Sequence, residues 1–347
     1  MAVRFGSRAI VAANFADNLC RWKAQRPGHY EVWFLTLNQR ARQRGFWFRY
    51  AIEVPKVAHS SFDNRAELWA TFFDRAKPEK NFGIVCDYPI DNFTCEKDQF
   101  NLRIQDALLS STRAKGSVTN DEHSISWDLE FTPNEATYFH VPKGLDLFMR
   151  PSSSVCSPNL NIQFSGVVTI DGRQMILEKE QGCQTHLWGS KHVDEWAWVH
   201  SNDFEKHEGT VFEGLAARTR RAGKTLPPIQ SLFLRHHGEE HHFIRMRFAE
   251  QWQRNLGVGC WTFSAMNTQV YLEGSAQCRL KDMLQVRYVD PDGEPLYCIN
   301  SEVANLKIRI FRRVHGLRWR HVETISARAT AHLEHASRLV DEQVRLI

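Results

Sequence analysis

The sequence predicts an all-β protein of two domains. Three observations carry this expectation. Short aromatic and β-branched runs recur along the chain, and two pairs of them are joined by tight-turn sequences, Asp171-Gly172 and Asp290-Pro291-Asp292-Gly293. No solenoid-period repeat and no low-complexity block breaks the pattern. At 347 residues, 42% hydrophobic and 24% charged, the chain is ordinary globular material, long enough for two cores at about 150 residues per domain. Many short strands with turns at steady spacing point to sandwiches or barrels. The division is drawn near residue 180, giving domains 1–180 and 181–347, the first a sandwich or open barrel with one helix.

Residues 29–38, HYEVWFLTLN, and 45–54, GFWFRYAIEV, read as an antiparallel pair across a polar link. The segment 63–76, DNRAELWATFFDRA, reads as a short helix packed on the sheet. Asp63 or Asn64 can cap it, Glu67 fits a capping box, and Leu68, Trp69, Phe72 and Phe73 fall on one helical face. Strand-like runs follow at 81–87, 100–105 and 123–131, then at 160–170 and 173–178 around Asp171-Gly172. The stretch 142–158 is loop-rich and suits a lid or crossing segment. Further strands are expected at 207–217, 229–236, 241–248, 260–263, 268–274, 283–289, 296–300 and 305–313. The final stretch, 327–345, fits either a last strand with a tail or one helix.

A net charge of +4 argues against a dedicated nucleic-acid binder. The Arg-rich runs 218–221 and 309–320 are the places where the chain could meet anionic lipid, although solvated strand faces are the commoner meaning of such runs. The eight cysteines form no CxxC pair. No secretory signal and no apolar run of about eighteen residues is present, so a reducing cytoplasm with free thiols is expected, with peripheral membrane contact at most. No GxGxxG, P-loop, GxSxG or HExxH occurs, so neither a nucleotide cofactor nor serine-hydrolase chemistry is expected, and no cofactor is assigned.

The most informative stretch is 185–204, THLWGSKHVDEWAWVHSNDF. WAWVH alternates, so Trp196, Trp198 and His200 share one face of a strand while Ala197, Val199 and Ser201 share the other. On spacing alone such a Trp pair is more often core than site. Against that, His186, Trp188 and Asn202 add imidazole, indole and amide groups, which are costly to bury together without partners. A site that holds an apolar molecule and moves a proton needs this mixture, because indole faces stabilise a cation and His, Asp or Glu exchange the proton.

The same residues carry a family resemblance. Trp188-Gly189, then Trp196-x-Trp198, then Asn202-x-Phe204 resembles the tocopherol cyclase pattern, and is similar to the matching stretch of carotenoid 1,2-hydratases and AttH-like proteins. The resemblance implies two lipocalin-like β domains, a ligand cavity near their junction, and acid-assisted chemistry on isoprenoid or polyketide alkenes. Two departures are visible. Where the hydratases carry Asp-His-Asn before Trp-Gly, this chain has Thr185, His186 and Leu187; where the cyclases read Gln-Cys-Asn, it has His200, Ser201 and Asn202.

The leading expectation is therefore an enzyme for a hydrophobic isoprenoid-like substrate. The substrate would be held by Tyr30, Trp33, Trp47, Trp188, Trp196, Trp198, Asn202 and Phe204, and protonated by His186, His200 or Glu31. Tyr30 and Glu31 are neighbours on a strand, so only one can face the cavity; an inward Glu31 would be a buried acid of raised pKa. Glu53, Asp87, Asp91, Glu213, Glu273 and Glu334 are comparable carboxyls that sequence does not rank. The rival expectation is a non-catalytic carrier of lipid or terpenoid, with no strongly shifted titratable group in its cavity. A purely structural protein would have the Trp cluster solidly packed. RHHGEEHH, residues 235–242, could place His237 opposite His241 across a hairpin and bind zinc, but it reads first as a polar turn, so no metal is assigned.

Overall fold

The computed structural model describes residues 16–23, 26–57, 64–141, 152–221, 223–246, 256–314 and 318–347. Its strands, in chain order, are β1 (His29–Gln39), β2 (Arg44–Val54), β3 (Arg65–Asp74), β4 (Phe82–Pro89), β5 (Phe93–Cys95), β6 (Asn101–Ile104), β7 (Ala107–Ser110), β8 (Arg113–Thr119), β9 (Ser124–Glu130), β10 (Tyr138–Phe139), β11 (Ser153–Ile170) and β12 (Arg173–Gly189). The second set is β13 (Glu195–Ser201), β14 (Val211–Arg218), β15 (Arg220–Arg221), β16 (Lys224–Thr225), β17 (Ile229–His236), β18 (Glu239–Met246), β19 (Leu256–Gly257), β20 (Cys260–Met266), β21 (Val270–Gln277), β22 (Leu284–Val289), β23 (Pro295–Arg313) and β24 (Trp319–Ser337).

The first sheet runs β4-β3-β2-β1-β12-β11-β9-β8-β7-β6-β5 with β10 beside β11, and the second runs β18-β17-β14-β13-β24-β23-β21-β20-β19 with β22 beside β23. All paired strands are antiparallel. This is the expected all-β architecture of two lipocalin-like units. The change of sheet falls between Gly189 and Glu195, beyond the 180/181 division drawn from the sequence, because β12 continues along β1 as far as Gly189.

Each sheet curls around its own core. In the first, Trp33, Leu35, Leu37, Phe46, Phe48, Leu68, Phe72, Trp127 and Phe164 are buried together. The Tyr50 hydroxyl crosses this interior from β2 to donate toward the carbonyls of Leu108 and Lys115, and accepts from the Trp127 indole at 2.8 Å. In the second, Val199, Phe212, Leu232, Phe263, Leu272, Ile308 and Ile325 pack together, with Phe212 stacked on Phe263 at 5.0 Å across the interior. The Asp-Gly hairpin forms as expected: Asp171 and Gly172 both take positive φ, 48° and 76°, the conformation of a type I′ turn.

One element differs from expectation. Residues 65–74 are strand β3, not helix. Ala66, Leu68, Ala70 and Phe72 point into the first core, while Trp69 and Phe73 point out of it into clusters shared with the second sheet. Because β3 is buried on both faces it carries large apolar side chains on each, and such a run satisfies a helical spacing as readily as a strand. The proposed cap Asp63 lies outside the described residues. So does 142–151 of the loop-rich stretch; its remainder is a bend at Ser152 and then, from Ser153, the start of β11. At the far end 327–337 is strand and 338–347 is a tail. That tail bridges the sheets: its backbone pairs with Gln285, and the Ile347 side chain abuts Gly83 on β4.

Candidate active site at the seam between the sheets

The convex faces of the two sheets meet back to back. On β13 the alternation is as read: Ala197 and Val199 enter the second core, and Trp196, Trp198 and His200 face the first sheet. Their lateral neighbours on that face are Glu213 and Leu215 on β14 and His332, Glu334 and Ala336 on β24, with Asn300 of β23 beside Glu334. The first sheet contributes Phe34, Trp47, Trp69 and Cys183. Phe34 stands edge-on to Trp198 at 5.3 Å and to Trp47 at 6.3 Å, and Trp47 is edge-on to Trp69 at 6.1 Å.

Two histidine–glutamate chains buttress these rings. Glu213, fully buried, accepts the Trp198 indole N–H at 2.6 Å on Oε1 and the His200 Nδ1 at 2.8 Å on Oε2, while His140 Nε2 reaches Oε1 at 2.6 Å. Beside it, His332 lies between Glu302 (Nδ1 to Oε1, 2.6 Å) and Glu334 (Nε2 to Oε2, 3.3 Å), and Glu334 accepts the Trp196 indole N–H. The His332 and Trp198 rings are 4.1 Å apart. Burial alone would raise the Glu213 pKa; the hydrogen bonds from His140 and His200 outweigh it and hold it at about 2. Burial alone would lower His200; the Cys183 sulfur and Glu213 outweigh it and push it up to about 10. For His332 the opposing pull comes from Glu302 and Glu334, which raise it to about 9. Both shifts favour the imidazolium form, and Trp198 is the ring against each histidine, 6.2 Å from His200 and 4.1 Å from His332.

Among the described residues, several buried polar atoms of the seam complete no hydrogen bond: the Trp47 indole N–H, both amide atoms of Asn300 and Glu302 Oε2, while the Cys183 sulfur is the hydrogen-bonding neighbour of His200 on the side away from Glu213. Buried polar groups are normally paired, so these atoms are open to a further hydrogen-bonding partner.

The expected residues divide into two groups. Trp47, Trp196, Trp198 and His200 line the seam, and Tyr30 borders it, stacked on His192 at 3.9 Å and bonded through its hydroxyl to Ser153 at 2.7 Å. Glu31, Trp33, His186 and Trp188 instead sit on the concave face of the first sheet, where Trp33 stacks on His186 at 4.9 Å and Trp188 lies 4.7 Å from it. Strand alternation makes this division, because Glu31 and Tyr30 point to opposite sides of β1.

Glu31 faces inward, but it is not an acid of raised pKa. Burial would raise it; hydrogen bonds from His186 (2.8 Å) and His29 (3.0 Å), with backbone amides of Arg21 (2.7 Å) and Trp22 (2.9 Å), outweigh burial and hold it at about 2. His186 Nδ1 faces the Asp17 carbonyl at 2.9 Å. This cluster fastens the segment 16–22 over the first core. The unranked carboxyls also separate: Glu213 and Glu334 are in the seam, Glu53 is paired with Arg65 at 2.5 Å and pushed by burial to about 7, and Glu273 pairs with Arg309 at the surface.

Asn202 and Phe204 mark where the chain leaves the seam. Asn202 donates to the Gly182 carbonyl at 2.8 Å and to Asn161 at 3.1 Å, and Phe204 packs into the second core. Both also line a groove of about 1250 Å³ between the domains, whose other walls include Asn161, Gln181 and His207. His140, Glu302 and His332 were not found by sequence reasoning. His332 had a signal, since His332-x-Glu334 repeats the period-two spacing of Trp198-x-His200; His140 and Glu302 had none. In the histidine run, 235–242 is a hairpin turn as expected, but His241 pairs with Leu234 and does not oppose His237.

Two curled antiparallel sheets, back to back over an aromatic seam that carries buried histidine–glutamate pairs, define a two-domain lipocalin-like protein. The chain belongs to the tocopherol cyclase-like family, whose model matches residues 148–336, more than half its length. A protein of Mycobacterium tuberculosis, present in strains CDC 1551 and H37Rv, is 23% identical over 323 residues and aligns over 88% of each chain. Among solved structures, an AttH-like protein of Nitrosomonas europaea is 11% identical with a TM-score of 0.49, covering 90% of this chain and 93% of its own. Kievitone hydratase from Nectria haematococca is 9% identical with a TM-score of 0.47, covering 88% of each. Among the described residues no helix is long and apolar enough to cross a membrane.

Proposed function

We propose that the protein is an enzyme of the cyclase or hydratase type, acting by acid-assisted alkene chemistry on a hydrophobic, isoprenoid-like substrate in the seam. The observation that carries this reading is the shared carboxylate: Glu213 holds His200 and Trp198 at once. His200 is the proton donor, delivering to the alkene carbon from Nε2, the ring nitrogen turned away from Glu213. Glu213 keeps the imidazole oriented and charged between turnovers.

Trp198, Trp196 and Trp47 face the cation that protonation creates. Hydrogen bonding of the Trp198 and Trp196 N–H groups to carboxylates enriches those indoles in electrons, and a desolvated cation–π contact contributes about 2 kcal/mol. The unpaired Asn300 amide and Trp47 N–H are suited to a polar group of the substrate or to the water that would quench the cation. The groove at Asn202 and Phe204 is the approach from solvent. Family membership supports the reaction type, and the shifted histidines favour an enzyme over a carrier.

The test is incubation of the protein with prenylated quinols and linear polyenes, read by product mass and retention. Conversion by the wild type, abolished in His200→Gln and retained in His186→Gln, is the expected result. Tight binding without conversion would make the protein a carrier. Conversion that survives His200→Gln would remove His200 from the role.

A further inference from the structure

Away from the seam, three histidines and one glutamate from three separate elements converge. His236 ends β17, His237 opens the turn into β18, His207 lies in the β13–β14 connection, and Glu323 is on β24. His236 Nε2 and His237 Nε2 both reach the same oxygen of Glu323, at 2.8 and 3.1 Å, and His207 Nδ1 reaches the other at 3.6 Å. One donor atom from each of the four residues lies within 4.8 Å of all the others. The imidazole centroids are 3.9 Å (His236–His237), 5.3 Å (His207–His236) and 6.1 Å (His207–His237) apart.

We infer that His207, His236, His237 and Glu323 form a binding site for a divalent transition-metal ion, best suited to zinc. Three imidazole nitrogens and one carboxylate are a zinc donor set, and four protein donors fill a tetrahedron. Zn–N and Zn–O bonds of about 2.0–2.2 Å set tetrahedral donors roughly 3.3–3.5 Å apart, so the His236 and His237 contacts with Glu323, at 2.8 and 3.1 Å, would open slightly while the wider donor pairs close by side-chain rotation. Without a metal, His236 Nε2 and His237 Nε2 hydrogen-bond to Glu323; a bound cation would take the place of the protons in those contacts, held by neutral imidazole nitrogens and one carboxylate oxygen. The surroundings favour the role. His236 Nδ1 is bonded to the Thr210 hydroxyl at 2.9 Å, which orients the ring and leaves Nε2 for a metal. His236 is nearly buried while His237 is 64% side-chain exposed, so the ion has a path from solvent.

A metal here would tie the β17–β18 hairpin and β24 to the connection 202–209. That connection carries Asn202 and Phe204 and forms one wall of the interdomain groove. The site is independent of the chemistry proposed for the seam, and with four protein donors its role is to hold that wall in place.

The experiment uses full-length, tag-free protein stripped with chelator, then titrated with Zn(II) by calorimetry and with Co(II) by visible absorption. The expected result is one equivalent bound, a tetrahedral Co(II) spectrum, and a raised Tm with zinc. His237→Ala, at the exposed position, and Glu323→Gln should each abolish this binding, with near-UV circular dichroism showing that both remain folded. Thr210→Val should weaken it by roughly 10- to 100-fold. His242→Ala, outside the cluster, should leave it unchanged. Absence of one-to-one binding by the wild type, or binding retained in both His237→Ala and Glu323→Gln, would overturn the assignment.

Discussion

Trp198 and His200 stand two residues apart on one strand and are bonded to the two oxygens of one carboxylate, Glu213, at 2.6 and 2.8 Å. Ring orientation and proton affinity at the seam therefore depend on the same group.

Replacing Glu213 with Gln should uncouple both. The His200 pKa should fall from about 10, and loss of one partner from a buried charged network should cost about 3–5 kcal/mol of stability. Histidine titration by NMR and urea denaturation measure the two effects. An unchanged His200 titration would mean that Glu213 does not hold its charge.

Stability should be bounded on both sides in pH. His332 and His200 have folded pKa values raised to about 9 and about 10, so their contribution is complete below the unfolded value near 6.5, declines above it, and is gone once pH passes the folded values. Glu31 and Glu213 are depressed to about 2, so theirs is complete above the unfolded value near 4.5 and is lost as pH falls toward 2. Denaturant midpoints measured from pH 3 to 10.5 should be highest between roughly pH 5 and 7 and fall on each side. A profile flat from pH 6 to 10 would contradict the histidine assignments.

Glu31→Gln should loosen the segment 16–22 without stopping turnover. The carboxylate accepts from His186, His29 and the amides of Arg21 and Trp22, so its loss should cost about 3–5 kcal/mol and speed hydrogen exchange at those two amides. Exchange measured by NMR or mass spectrometry, alongside the rate of the folded variant, tests this. Loss of turnover with the segment still protected would restore a catalytic role to Glu31.

Gly45→Ala should strain the seam. A Cβ there would lie 2.2 Å from the Glu302 Cβ and 3.2 Å from its carbonyl carbon, at a point where the two sheets touch. Overpacking of this kind costs about 1–3 kcal/mol, so a lowered denaturant midpoint is expected. Because Glu302 also holds His332 at 2.6 Å, the His332 titration should shift in the same variant. An unaltered midpoint would mean that the sheets separate freely at Gly45.

The sequence by itself determined the all-β class, the Asp171-Gly172 hairpin and the sidedness of the key strand, because turn chemistry and a period of two are local properties of the chain. It thus placed Trp196, Trp198 and His200 on one face and Ala197 and Val199 on the other. Periodicity says which residues share a face; it does not say what that face meets. Tertiary structure decided that Trp33 and His186 belong to the first core while Trp47 and Trp198 belong to the seam. It decided that 65–74 is strand, since burial on both faces erases the alternation that distinguishes strand from helix. It supplied the partners that raise the histidine pKa values, Cys183 and Glu213 for His200 and Glu302 for His332, from other strands brought alongside by sheet pairing and by the contact of the two sheets. It also reversed the expectation for Glu31, because a buried carboxyl's pKa follows the donors aimed at it, and two of these are backbone amides that side-chain identity does not reveal.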